Sequence, residues 1–199
     1  MATAQTIIDR ARYKLADATD ASLETATALS FLNEGMMEFA ALTQCLLTSG
    51  SISPSGSLSS WVLTTTLDAD LLNVHKVRYN GLPLDFVPLS EVQVAWPIAA
   101  GTPTKWTMWG ETLYLDRTPA TGVSTLSVYY SKLPALVVIG DTLVIQRPWE
   151  PALCAYVCGA ALDAKRDVAV AGRFWARYEA LRAQCASIMQ SKIMAGGFA

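Results

Sequence analysis

Glu34 and Glu38 stand four residues apart in ALSFLNEGMMEFA, a spacing that puts two carboxylates on one helix face. Such a pair can run acid–base chemistry when burial raises one of the two pKa values. Here the pair flanks Met36 and Met37 with no polar cluster around it, so an acidic stripe facing solvent or an interface is the plainer reading. His75, in NVHKVRY, is the single histidine, and any histidine-based dyad or triad would have to use it. The nearest cysteine in sequence, Cys45, is thirty residues away, and no GxSxG elbow occurs. A strand histidine facing solvent or a neighbouring subunit fits better. Cys154 and Cys158 are four apart, but no His or Cys beside them completes a zinc site. With Cys45 and Cys185 they read as free, buried thiols of a reducing compartment. Neither GxGxxG nor GxxxxGK[ST] is present to cradle phosphates. The expectation is a protein that is not an enzyme, with no cofactor and no metal.

The stretch GTPTKWTMWGETLYLDRTP, residues 101–119, raises a binding question. Its aromatics could stack on a sugar or a base. Base-stacking platforms need cations along a groove, and only Lys105 and Arg117 are at hand. Trp106 and Met108 alternate on one side of a strand, and Leu113 and Leu115 on one side of the next, with Tyr114 opposite. Trp109-Gly110-Glu111-Thr112 connects them. The spacing predicts a β-hairpin with a buried face, and Trp109 at its turn is the aromatic most available to a partner.

These residues must be positioned by a chain of 199 residues, long enough for one domain or two small ones. Charged residues make up 16%, against about 25% in ordinary globular domains. A surface so poor in charge suggests cover by a partner or by further copies. Net charge is −2, which provides no global basic field for nucleic acid. From Asp163 onward the chain is net +3 and the remainder net −5, so the two parts can meet different partners. The start, MATAQTIIDRARYKLAD, does not read as a signal peptide. The longest charge-free stretch contains SGSISPSGSLSS, which no membrane span would tolerate.

The hydrophobic period changes twice along the chain. Ile7, Ile8, Ala11 and Leu15 share a helix face. A second helix, residues 22–46, follows a polar break at 17–22, with Ser22 as its candidate N-cap and Leu29, Leu32, Met36, Phe39 and Leu42 as its stripe. SGSISPSGSLSS reads as a linker or long loop. Period-two alternation then puts Trp61, Leu63 and Thr65 on one side, and sets Val74, Lys76 and Arg78 against His75, Val77 and Tyr79. Asn80-Gly81 predicts a hairpin turn returning a strand at 82–87. A short helix opens at Ser90 and runs to Ala95, and strands are expected at 125–131 and 139–145. Trp149-Glu150-Pro151 starts an alanine-rich helix to Lys165. A last helix spans 169–194, with Phe174, Tyr178, Leu181, Cys185 and Ile188 as its apolar stripe. The fold class is α+β: a bundle of N- and C-terminal helices with an inserted antiparallel β domain. The expected divisions are 1–50, 51–147 and 148–199.

In this order the pieces ALSFLNEGMMEFA, LLNVHKVRYNGLPL, GTPTKWTMWGETLYLDRTP, STLSVYYSKLPAL and WEPALCAYVCGAALDA resemble the head-to-tail adaptor, or connector, proteins of tailed bacteriophages, of the short-tailed type. The resemblance covers residues 25–165. It implies a homo-oligomeric ring, commonly of twelve copies, made in the host cytoplasm and placed in the virion neck. Such a ring docks on the portal protein, extends the DNA channel without sequence-specific binding, and carries the tail or nozzle proteins. It also implies a C-terminal segment that reaches the portal. Here that segment offers Met189, Ile193, Met194 and Phe198 as apolar anchors and Arg173, Arg177, Arg182 and Lys192 as charge. Trp109 and His75 are then candidates for a tail or subunit contact. Two other functions stay open: a glycan-directed tail module using the Trp-rich β region or Glu34 and Glu38, and a nucleic-acid-binding factor using the basic C-terminal helix.

Overall fold

The computed structural model describes residues 1–16, 23–54, 58–92, 96, 99–119 and 124–195. The expected N-cap Ser22 and the anchor Phe198 lie outside the described residues, as does the polar break at 17–22; the helix expected to open at Ser90 and run to Ala95 is instead one 3-10 turn, Leu89–Glu91, ended by an extended Val92. The chain forms two compact units, one of residues 1–46 with 133–197, the other of residues 47–132.

The first unit is helical. Helix α1, Ala4–Lys14, is capped by the Thr3 hydroxyl, which accepts from the Thr6 amide at 3.2 Å. It buries Ile7, Ile8 and Ala11 as its spacing predicts, and each isoleucine contributes about 1.5–3 kcal/mol through burial. Helix α2, Thr25–Thr43, ends at Gln44 in the left-handed region with φ 52°. Leu32, Met36 and Phe39 are buried, but Leu42 is 51% exposed, so the stripe turns outward in its last turn. Residues 133–149, ahead of the C-terminal helices, pack with the helical unit. The expected strand at 139–145 does not form there. Its alternation is real, because Leu143 and Ile145 are buried and Val144 is exposed. Its partner, however, is only the N-terminal segment: Leu143 N–H donates to Ala2 O at 3.0 Å and Ala4 N–H to Asp141 O at 2.9 Å.

A one-turn helix α3, Leu63–Thr66, belongs to the second unit. In the first, a 3-10 turn, Arg147–Trp149, leads into the third helix of the bundle. Helix α4, Glu150–Ala164, buries ten of its fifteen residues. It is apolar all round and so must be surrounded; α1, α2 and the last helix α5, Val168–Met194, all pack on it. Two glycines let the helices close. A Cβ on Gly35 would lie 2.7 Å from the Tyr156 ring, and one on Gly159 would lie 2.8 Å from Trp175.

The second unit holds two four-stranded sheets around one core. The first sheet has the order β1-β10-β3-β4 and is antiparallel, with β1 Leu47–Ile52, β3 Leu71–Tyr79, β4 Leu82–Pro83 and β10 Leu126–Lys132. Strand β1 occupies the front of the stretch expected to be linker: its backbone ladder with β10 outweighs its Ser/Gly composition. Asn80 (φ 47°) and Gly81 (φ 81°) form the expected turn, both in the left-handed region that a two-residue hairpin favours. The strict alternation expected through NVHKVRY fails at one residue. Tyr129 pairs with Lys76 and Tyr130 with Val74, so His75 is the extra residue of a β-bulge. The bulge shifts the face, and Val74, Val77 and Tyr79 are buried together.

The second sheet, β2-β8-β7-β5, contains β2 Ser60–Val62, β5 Asp85–Phe86, β7 Lys105–Trp109 and β8 Thr112–Leu115. Alternation past Trp61 stops because Leu63 turns into α3 and is buried from there. The expected return strand at 82–87 splits: β4 stays on β3, while β5 crosses to pair in parallel with β7. A two-residue parallel pair, β6 Ala99–Ala100 with β9 Arg117–Thr118, completes the unit. Trp61, Trp106, Leu113 and Leu115 of this sheet share a core with Ile52, Val77, Leu126 and Val128 of the first.

Candidate assembly surfaces

Each chemically suggestive residue has a definite place. The Glu34/Glu38 pair is engaged by tyrosines. Tyr178 Oη donates to Glu38 Oε1 at 3.0 Å, and the Tyr156 hydroxyl lies beside both carboxylates. Burial first, and those carboxylates next, push the Tyr156 hydroxyl well above its ordinary range. Tyr156, Tyr178 and Trp175 meet edge to face, with centroids 5.1–6.1 Å apart. Trp175 Nε1 donates to Asp163 Oδ2 at 2.6 Å. The pair therefore ties α2 to α4 and α5, a structural use that the sequence spacing did not distinguish from acid–base work.

All four cysteines are buried and free. Cys158 Sγ donates to the Ala11 carbonyl at 3.7 Å. The neighbouring Cys158 thiol, against the cost of burial and helped by Lys14, draws the Cys154 thiol down to about 6, and the same contact pushes Cys158 up. Among the described residues no group of three or more His, Cys, Asp or Glu is assembled as a metal cage. No helix among them is long and apolar enough to cross a membrane.

His75 is half-buried at the bulge of β3, and burial holds its pKa below the usual histidine value. The hairpin of residues 105–115 has its predicted buried face, with Trp106 3% exposed. Gly110 at the turn has φ 58°. Trp109, beside it, is 67% exposed, the one aromatic of that stretch presented outward. Sequence reading passed over Asp116, which is 5% exposed. It accepts from Thr104 N (2.9 Å), Thr104 Oγ1 (2.8 Å) and Lys105 N (3.1 Å). It also passed over Glu150, 3% exposed, which takes the Ala2 amide at 2.7 Å and Arg10 Nη1 at 3.0 Å. Only the position of each acid at the edge of an apolar run could have drawn attention to them.

The basic helix α5 separates into distinct environments. Asp167 caps its start by accepting from the Val170 amide at 3.4 Å. Arg173 and Arg177 are exposed, and Arg182 is bonded to Glu179 one turn away. Met189, expected as an outward anchor, is 3% exposed and packs within the helical unit, in line with Tyr178 and Cys185. Ile188, expected on the inner stripe, is 39% exposed. Lys192 is exposed, Ile193 half-buried and Met194 83% exposed. The helix thus ends in an apolar and basic tip left open to a partner.

The fold is of the α+β class, with apolar side chains such as Leu82, Leu136, Trp109 and Met194 exposed in numbers that mark contact surfaces. The family model described as SU10 adaptor protein matches residues 2–195, nearly the whole chain, and the protein belongs to that family of bacteriophage adaptors. No curated protein matches it.

Proposed function

We propose that this protein is the head-to-tail adaptor of its phage, closing into a ring, with twelve copies as the expected number, that docks on the portal protein, continues the DNA channel and carries tail or nozzle proteins. The family match across residues 2–195 carries this reading. Each copy in such a ring buries two complementary faces, a heterologous contact that closes on itself. The low charge content and the exposed apolar residues suit such a subunit. The tip of α5, with Lys192, Ile193 and Met194 and the following Phe198, is the proposed portal contact; Arg182, three turns back, is already paired with Glu179. Trp109 and His75 belong to the β unit, which on this reading faces the tail or a neighbouring subunit.

The test is reconstitution. Purified chain mixed with its portal should give a ring on the portal by electron microscopy, with copy number from native mass spectrometry. A chain that stays monomeric beside its portal would sink the proposal. The exposure of Trp109 supports one competing reading, a glycan-directed tail module. Trp109→Ala should then abolish binding to host-surface glycan while leaving assembly intact; on the adaptor reading no glycan is bound in the first place.

A further inference from the structure

Three glycines lie inside the described helices, and two have an evident reason. Gly35 and Gly159 each accept an aromatic ring in the space a Cβ would fill. Gly172, in the second turn of α5, has no atom within 4 Å of that space and is exposed. A helical glycine loses more freedom on folding than alanine would and offers nothing to pack. None of the described residues approaches it, so the space it leaves is open to a close neighbour from outside the chain. Arg173 and Ala176 flank it on the same exposed face, and Arg177 borders that face.

The complement sits on α2. Its charged residues are Glu34, which is exposed, and Glu38, which is half-buried and bonded to Tyr178 within the fold. Glu34 lies on the exposed stripe of α2 with Ser30, Met37 and Ala41, a line at helical spacing that carries no basic residue. Met37 is 37% and Leu42 51% exposed there. One helix face therefore presents acid and apolar surface, the other presents base, a glycine and alanine. Both helices pack on α4 through their other faces. Opposite charge on two exposed helix faces favours their meeting over other pairings.

We propose that the exposed α2 face around Glu34 and Met37 docks on the α5 face around Gly172 and Arg173 of a second copy of this chain, a heterologous contact that repeats around the ring. The inference rests on the adaptor reading and specifies its subunit contact. It also divides α5 between two partners. Arg173 and Met194 are twenty-one residues apart, about 30 Å along a helix, so the first turns serve the neighbouring copy and the tip serves the portal.

Charge exchange tests it. Glu34→Arg alone, and Arg173→Glu with Arg177→Glu, should each lower ring yield at least tenfold at equal concentration, scored by native mass spectrometry. Mixing the two variant chains should restore rings, because each junction then pairs opposite signs again. Combining all three substitutions in one chain should restore them as well. Gly172→Leu should weaken assembly while leaving the melting temperature of the dilute chain unchanged or higher, which separates a docking role from a folding one. Rings from every single variant at wild-type yield would overturn the inference. So would normal rings that fail only to bind portal, which would assign Arg173 and Arg177 to that partner. Absence of rings from the unaltered chain with portal would instead count against the adaptor reading itself.

Discussion

Asp116 shows at residue scale how much one acid can hold. Its carboxylate fixes two consecutive backbone amides and a hydroxyl where β7 begins. Burial is the largest single influence on its pKa and acts upward, but the hydrogen bonds from Lys105 and Thr104 together with the Arg117 charge outweigh it, and the value lies below the ordinary one. A carboxylate depressed in the folded state stabilises fully above its unfolded pKa, about 3.9. That contribution disappears as pH falls through the lower folded value. Asp116→Ala should cost about 3 kcal/mol, since it strands buried amides, and urea unfolding at neutral pH measures it. The difference between the two proteins should shrink in urea titrations repeated below pH 4. The Lys132–Asp68 pair, 2.9 Å apart in the same unit, depresses Asp68 likewise and adds to the same acid-side loss. Across the helical unit, Tyr178→Phe removes one hydrogen bond to Glu38 and should cost about 1 kcal/mol.

Elements respond to the same substitution with opposite signs. At Gly159, alanine would push a methyl to within 2.8 Å of the Trp175 ring, an overpacking that costs about 1–3 kcal/mol. At Gly172 no atom lies within reach, so alanine gains the helix-propensity difference of about 1 kcal/mol. Thermal unfolding of the dilute chain should fall for Gly159→Ala and rise for Gly172→Ala. Sequence spacing carried a comparable asymmetry. The helices were legible because Ile7, Leu32, Phe39 and Tyr178 recur at helical intervals that only one face can satisfy. The Asn80-Gly81 turn and the buried face of the Trp106 hairpin were legible from turn chemistry and alternation. What failed did so where long-range pairing overrides local pattern. Strand β1, LTSGSI, has only Thr, Ser and Gly between its end residues and is fixed by its ladder with β10. The His75 bulge changes face by one residue, which no local signal marks. Residues 139–145 alternate like a strand but pair with Ala2 and Ala4. Of the candidate site, the exposed arginines and Met194 were readable as charge and apolar surface, whereas Met189 was not separable from them: its burial depends on where α5 lies against its neighbours.

At the scale of the whole molecule, the adaptor reading requires subunit and portal contacts to be separable, because a ring must form and also dock. The two ends of α5 make that separation possible. Its first turns carry Arg173 and Arg177 on an exposed face, and its last turn leaves Lys192 and Met194 open, with Met189 between them already buried in the fold. Exposed charges act over about one Debye length, near 8 Å at physiological salt, so a contact led by Arg173 and Arg177 should weaken between 50 mM and 500 mM salt. One led by Met194 and Phe198 should persist, since burial of apolar surface does not depend on screening. Deleting residues 191–199 removes the apolar tip without touching Tyr178, Cys185 or Met189. Pull-down on immobilised portal should then lose the adaptor, while electron microscopy or native mass spectrometry of the truncated chain, under conditions where the full chain forms rings, still finds them. Truncated chains that bind portal as well as the full chain does would move the portal contact off the helix tip and onto another apolar surface, with Leu136 and Val138, 70% and 63% exposed, the next to test.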